Sequence, residues 1–300
     1  MNLAHGVMSG EKVLVLCSTG KVGRNVSLAL VQAGYEVYGT TRSGSKYLAS
    51  IGVKEILADY TNPLDLHRAF EESGAKKVFV LTDYFSAAKK NSSLEVTQGK
   101  TAFDAAKKAG VDHIVFMSVA DAEKFDAKTH HLKAKVILEK RLKESDLKYT
   151  IVRPSAFFEN LDDASNWNPL KKGRVSFLTD QKCKFCSTYD IGRAAAVIFA
   201  NPQHWLGKSL DIVSWEGDLA DIAAALERVS GTKVRGQLAM PIFLRRLLLN
   251  DLHHMCLYFE NQGISATPAE FKRVIPDAFS AEDWFRFHNR YANGDPISPS

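Results

Sequence analysis

The stretch KVLVLCSTGKVGRNVSLALVQAGYEVYGTTRS, residues 12–43, carries the pattern that decides how this chain is read. Its first six residues are a short apolar run of β-forming type, the mark of a strand buried on both faces. A turn follows, with Gly20 and Gly23 in the second and third glycine positions of a Gly-x-x-Gly-x-x-Gly loop and Cys17 in the first. Val26, Leu30 and Val31 then recur at helical spacing, Gly34 supplies a stop, and YEVYGTTR reads as a second strand. In such a strand–turn–helix unit, backbone N–H groups and the positive helix end attract a pyrophosphate. The first glycine permits the tight turn, the second lets phosphate approach the backbone, and the third lets helix and strand pack closely. Gly20 and Gly23 keep the latter two roles. Cys17 is small enough to make the turn with a mild φ, and its Cβ shifts the loop slightly. Ser18 and Thr19 offer hydroxyl donors, and Lys21 and Val22 complete the bend. Taken alone, the loop also reads as a glycine turn that holds nothing.

The end of the second strand separates two cofactors. An acid there bonds a ribose 2′-hydroxyl, whereas an arginine pairs with a 2′-phosphate. This chain has Thr40, Thr41, Arg42 and Ser43, with Arg42 standing 22 residues after Gly20. That favours NADP(H) over NAD, with Lys46 as a second cation; an exposed strand-end arginine is the plainer reading. Asp59, ending a third strand, is placed either to meet the adenine or to cap its own strand.

Beyond this unit, strand and helix alternate with short connections. KEILADY, KKVFVLTDY, HIVFMSV and KYTIVRP read as strands. SKYLASIG, NPLDLHRAFEESG, SLEVTQGKTAFDAAKKAG and HLKAKVILEKRLKESD read as helices. The pattern predicts an α/β fold, a doubly wound parallel sheet of Rossmann type with a smaller C-terminal α/β subdomain. Residues 1–11 are expected to be a flexible lead and 12–160 the nucleotide-binding domain, with return elements at about 186–215. Residues 161–293 form mostly a substrate or partner domain, whose cleft with the first would hold the dinucleotide, and 294–300 a tail. Composition is ordinary for a globular chain, 45% hydrophobic and 24% charged. A net charge of +5, spread in isolated Lys/Arg pairs, does not argue for nucleic acid. Four cysteines make no disulfide scaffold, and no apolar run is long enough to span a bilayer. The expectation is a cytoplasmic protein, with the nucleus also open to it.

These pieces together resemble the NmrA-like branch of the atypical short-chain dehydrogenases. The matching segments are CSTGKVG, TTR, ADY, VLTDY, VTQGKTAFDAAKKAGVDHIVFMSV, HHLKAKVILEKRL and VRPSAFFENL, covering most of residues 12–161. The resemblance implies that residues 17–23 cradle a pyrophosphate and Arg42 takes the 2′-phosphate. It implies that Thr82, Asp83 and Tyr84 lie beside the nicotinamide ribose, that Lys135 bonds it, and that Phe157, Phe158 and Asn160 close over the nicotinamide. Ser118 falls where the family's substrate-polarising serine would stand. Ordinary members use Tyr-x-x-x-Lys for proton transfer; here the tyrosine position is His131, paired with Lys135. Loss of that tyrosine goes with relatives that bind NADP(H) and report its redox state to a regulatory protein partner. Since histidine also transfers protons, an NADPH-dependent reductase of a small carbonyl or quinone stands as the alternative. A degenerate module kept as a scaffold, its loop empty, is a third, weaker reading.

Other candidates are weaker. Cys183-x-x-Cys186 has no second pair or matching histidines to make a zinc site, so no metal is expected; a structural role and a redox role both stand open. His130–His131 and His253–His254 are adjacent residues that point apart on a helix. Trp205, Trp215, Phe243 and Phe259 serve either as core or as pocket lining. PIFLRRLLLNDLHHMCLYFENQG reads as one or two helices over the cleft, with a partner-binding face as the sharper alternative.

Overall fold

A computed structural model describes residues 10–85, 87–124, 129–162, 170 and 173–287. The outermost parts of the expected lead and the tail, residues 1–9 and 294–300, lie outside the described residues. The chain divides into two compact units. The first comprises residues up to Glu123, His130–Arg153 and Ile191–Leu210; the second comprises Lys124–Thr129, Pro154–Asp190 and the residues from Asp211 onward. The family motif at residues 156–161 therefore belongs to the second unit.

The first unit is built in strand–helix alternation: β1 (Lys12–Val15), α1 (Lys21–Gln32), β2 (Glu36–Thr41), α2 (Lys46–Ser50), β3 (Lys54–Leu57), α3 (Pro63–Ser73), β4 (Lys77–Val80), α4 (Ser92–Lys108), β5 (His113–Met117), α5 (His130–Lys143) and β6 (Tyr149–Pro154). Local chemistry fixes the ends. Asn62 accepts from Leu64 N–H ahead of α3, Pro63 fills its first turn, and Gly74 ends it at φ +58°. The chain enters the second unit as β7 (Ala156–Phe157), β8 (Arg174–Phe177) and β9 (Cys183–Cys186). It comes back through α6 (Thr188–Ala200), α7 (Pro202–Trp205) and β10 (Ser209–Ile212). The sheet order is β10-β6-β5-β4-β1-β2-β3, and the pairings from β6 across to β3 are parallel. Its order reverses beside β1, the switch point at which such sheets bind ligands.

Strand alternation sends Leu14, Leu16, Val78, Val80, Ile114 and Phe116 into one core with Phe70 of α3, Phe103 of α4 and Leu138 of α5. Their neighbours Val13, Val15, Phe79 and Val115 are equally buried on the opposite face. There α6 lies against α1 so closely that a Cβ on Gly192 would come within 2.7 Å of Ala29 Cβ.

The second unit continues with β11 (Trp215–Gly217), α8 (Leu219–Ser230), β12 (Arg235–Leu238), α9 (Ile242–Leu248), α10 (Asn250–Asn261), α11 (Pro268–Lys272) and α12 (Ala281–Phe287). β9 lies between antiparallel β11 and parallel β7, while β8 pairs in parallel with β12. Phe158, Phe177, Phe185, Ile222, Leu226, Trp284 and Phe285 fill its core. Asp218 caps α8 through a capping box and Gly231 ends it at φ +66°.

Candidate functional site

The bend between β1 and α1 is tighter than a mild φ allows. Cys17 sits in the left-handed region at φ +52°, the conformation for which glycine is the default, so the thiol-bearing residue makes the turn under strain. Two contacts from β2 hold it there: Cys17 N–H donates to Thr40 Oγ1 (2.9 Å) and Ser18 N–H to the Thr40 carbonyl (3.1 Å). Gly20 N–H then closes the turn onto the Cys17 carbonyl at 3.1 Å. The Ser18 side chain is wholly buried and donates to the Thr40 carbonyl at 2.8 Å, so its hydroxyl ties the bend to β2 instead of facing outward as a ligand donor. Gly39, in β2, leaves room for that side chain; a Cβ there would lie 2.5 Å from Ser18 Oγ.

Gly23 is required by close approach, since its Cβ would lie 2.2 Å from the Cys17 carbonyl oxygen. Thr19 and Gly20 are exposed at the crest of the bend, Lys21 is half-buried, and Val22 packs inward. Gly20 is the N-cap of α1, no side chain caps that helix, and its first turn carries no acid. An uncapped twelve-residue helix beginning at a glycine-lined bend is the arrangement that receives a phosphate.

Arg42 is exposed one residue beyond β2. Asp59, also exposed, holds Thr61 N–H and Thr61 Oγ1 on one carboxylate oxygen, both at 2.8 Å. Those two bonds, with the charges of Arg42 and Lys89, keep its carboxyl below the ordinary range. The strand-end cap is thus present, and Arg42 lies within electrostatic reach. The Cys17 thiol is pushed up to about 12, by burial of the sulfur first and by Asp83 next, against the opposing charges of Lys135 and Arg42. Cys17, Arg42, Asp59, Asp83 and Lys135 therefore share one electrostatic neighbourhood.

The His-x-x-x-Lys pair read from the sequence follows on α5. His131 and Lys135 are one turn apart and both 7% exposed. The His131 ring lies 6.2 Å from that of Tyr84 and 5.9 Å from that of Phe85, between centroids, and Phe85 is half exposed. Asp83 accepts Ala87 N–H at 3.3 Å in the same loop. Lys135 Nζ donates to Thr82 Oγ1 at 2.5 Å and to the Thr82 carbonyl at 3.1 Å, and lies 3.1 Å from Glu95 Oε1. Ser118 is buried just past β5, its N–H on the Val152 carbonyl. One turn beyond Lys135, Glu139 accepts both Arg153 Nε and Nη2. Burial raises the Glu139 carboxyl, but the bonds and charge of Arg153, with Lys143, outweigh it and hold it below the usual range.

Phe157, Phe158 and Asn160 lie in the second unit. Phe157 is half-buried and Asn160 exposed, but Phe158 has no accessible surface. Its ring stacks 5.4 Å from Phe185 and 5.9 Å from Trp284, so this side chain builds core and does not close over a ligand. Between them in sequence, Glu159 is buried and receives Thr188 N–H, Thr188 Oγ1 and Trp284 Nε1.

Several residues of this site escaped the sequence reading, among them Glu95, Thr40 and Gly39. Glu95 reads as an ordinary acid in the first turn of a helix, and Thr40 and Gly39 read as plain strand residues. Among the weaker candidates, Cys183 and Cys186 stand three residues apart on β9, which puts their side chains on opposite faces. Both are buried free thiols; burial pushes Cys183 up to about 12 and Cys186 well above its ordinary value. Among the described residues no group of His, Cys, Asp or Glu is placed to hold a metal ion, and no helix is long and apolar enough to cross a membrane.

Known proteins are similar to this chain in sequence or in fold. The Photosystem II assembly factor Ycf39 of Cyanophora paradoxa is 26% identical over 232 residues, spanning 74% of this chain and 70% of that protein. The triphenylmethane reductase of Citrobacter sp., crystallised with NADP(H), superposes with a TM-score of 0.72 at 19% identity over 92% of this chain and 99% of its own. The negative transcriptional regulator NmrA, crystallised with NADP, gives 0.72 at 19% over 93% and 95%. The sequence profile of the NmrA-like family matches residues 9–281, and the chain belongs to that family.

Proposed function

We propose that this protein binds NADP(H) and acts as a nucleotide-responsive regulator. The observation that carries the reading is the bend at residues 17–23. A carbonyl-to-Cβ distance of 2.2 Å at Gly23 leaves no room for a side chain, and the helix that follows is uncapped. In this reading the α1 N-terminus and the bend hold the pyrophosphate, Arg42 holds the 2′-phosphate, and Lys135 with the Thr82–Tyr84 segment meets the nicotinamide ribose. When bound, the dinucleotide supplies hydride chemistry. The usual tyrosine is replaced by His131, packed against Tyr84 and Phe85. The regulatory part is supported by α9, where Ile242, Phe243, Leu247 and Leu248 are each more than half exposed. Large apolar side chains left exposed on one short helix are suited to meeting another protein. The likeness to the regulator NmrA points the same way.

The second reading is an NADPH-dependent reductase of a planar quinone-like compound or small carbonyl. It is favoured by the Tyr84–Phe85–His131 ring cluster, which offers an aromatic shelf beside a proton-transferring imidazole. The likeness to a dye reductase supports it. One experiment separates the two. NADPH is expected to raise the melting temperature while a panel of quinones, aldehydes and triphenylmethane dyes leaves NADPH unoxidised. Sustained oxidation that disappears in His131→Ala, with NADPH affinity kept, would establish the reductase instead. Absence of any NADPH-induced shift would refute both.

A further inference from the structure

Glu95 stands in the first turn of α4, where a carboxylate ordinarily faces solvent and the helix dipole. Here it is turned inward and has no accessible surface. Its Oε1 accepts Thr82 Oγ1–H at 2.6 Å and lies 3.1 Å from Lys135 Nζ. Its Oε2 is buried without a hydrogen-bond partner. The Lys135 ammonium donates to Thr82 Oγ1 and to the Thr82 carbonyl, and Glu95 Oε1 stands beside it as its ion-pair partner. A fourth neighbour, the Phe116 ring, lies 5.9 Å away. The loop after β4, with α4 and α5, thus converges on one buried ion pair.

A buried ammonium is tolerated only with a counter-charge, and removing one partner leaves the other stranded. Glu95 is the carboxylate that fills this role for Lys135. We infer that Glu95 is a positioning residue of the dinucleotide site: it anchors the Lys135 ammonium against the loop after β4, so that Lys135 meets the nicotinamide ribose as a fixed hydrogen-bond donor. This deepens the NADP(H) reading above and rests on it.

The test uses two ligands that share one end. NADPH carries the nicotinamide ribose; adenosine 2′,5′-bisphosphate carries the adenosine and the 2′-phosphate but lacks that ribose. Both are titrated calorimetrically into the wild type and Glu95→Gln, and nicotinamide fluorescence is followed for NADPH. Glu95→Gln is expected to weaken NADPH about tenfold or more and to reduce its fluorescence change, with the bisphosphate affinity altered less than about twofold. Equal losses for both ligands would mark a general structural role and overturn the assignment, as would an unchanged NADPH affinity. Should Glu95→Gln not fold, Lys135→Met is compared with the Glu95→Gln/Lys135→Met pair, in which no charge is stranded. The double variant is expected to bind NADPH as weakly as Lys135→Met alone. A further tenfold loss would show that Glu95 does not act through Lys135. If the wild type binds neither ligand, the cofactor reading itself fails, a result distinct from any failure of Glu95.

Discussion

Cys17 illustrates how a single residue sets the terms of this site. A non-glycine residue held in the left-handed region costs about 1–2 kcal/mol, and Cys17 is held there at φ +52° by two bonds from β2. Cys17→Gly is therefore expected to raise the melting temperature by about 2 °C, the relief being partly offset by the greater chain entropy of glycine. A thermal melt with unchanged far-UV circular dichroism checks this; a lower melting temperature would show that the thiol packs better than the backbone suffers. Gly23, which follows it, was legible in sequence because close approach leaves only one residue type. The left-handed φ at Cys17 was not, since nothing in a cysteine announces it. Glu95 was hidden for a similar reason: an acid in a first helical turn has an ordinary explanation, and only its burial beside Lys135 reveals another.

At the scale of elements, β5 and β6 are tied through His113. Its Nε2 lies 2.8 Å from Thr150 Oγ1, which donates in turn to the Trp205 carbonyl. Burial, with the nearby Lys77 charge, lowers the ring from 6.5 to about 4. Between those values the unfolded chain binds the proton and the folded chain refuses it, so stability falls as the pH falls. His113 should contribute fully above pH 6.5 and lose about 3 kcal/mol by pH 4, whereas His113→Gln should lack that slope. Urea titrations across pH 4–7 measure the difference; identical slopes would rule the linkage out. The strands and helices of the first unit were readable because each carries its own period and its own caps, as in Asn62–Pro63 and Gly74. Strands β7, β11 and β12 were not. They span two to four residues and hold no run of β-branched side chains, and Arg235–Leu238 exists as a strand only through its pairing with Arg174–Phe177.

For the whole molecule, the central claim is that an NmrA-like chain with a cysteine in its nucleotide bend still grips NADP(H), and that Arg42 chooses between the two dinucleotides. The overall charge of +5 is too small and dispersed to do this at a distance, so the proposal puts the discrimination on one exposed guanidinium just past β2. Charge-assisted contacts to a phosphate contribute about 1.5–3 kcal/mol, roughly tenfold to a hundredfold in affinity. The most direct measurement is calorimetric titration of NADPH and of NADH into the wild type and Arg42→Ala. The account predicts that the wild type prefers NADPH and that Arg42→Ala loses at least about tenfold for NADPH while NADH changes little. Equal weakening of both, or no binding of either by the folded wild type, would contradict it.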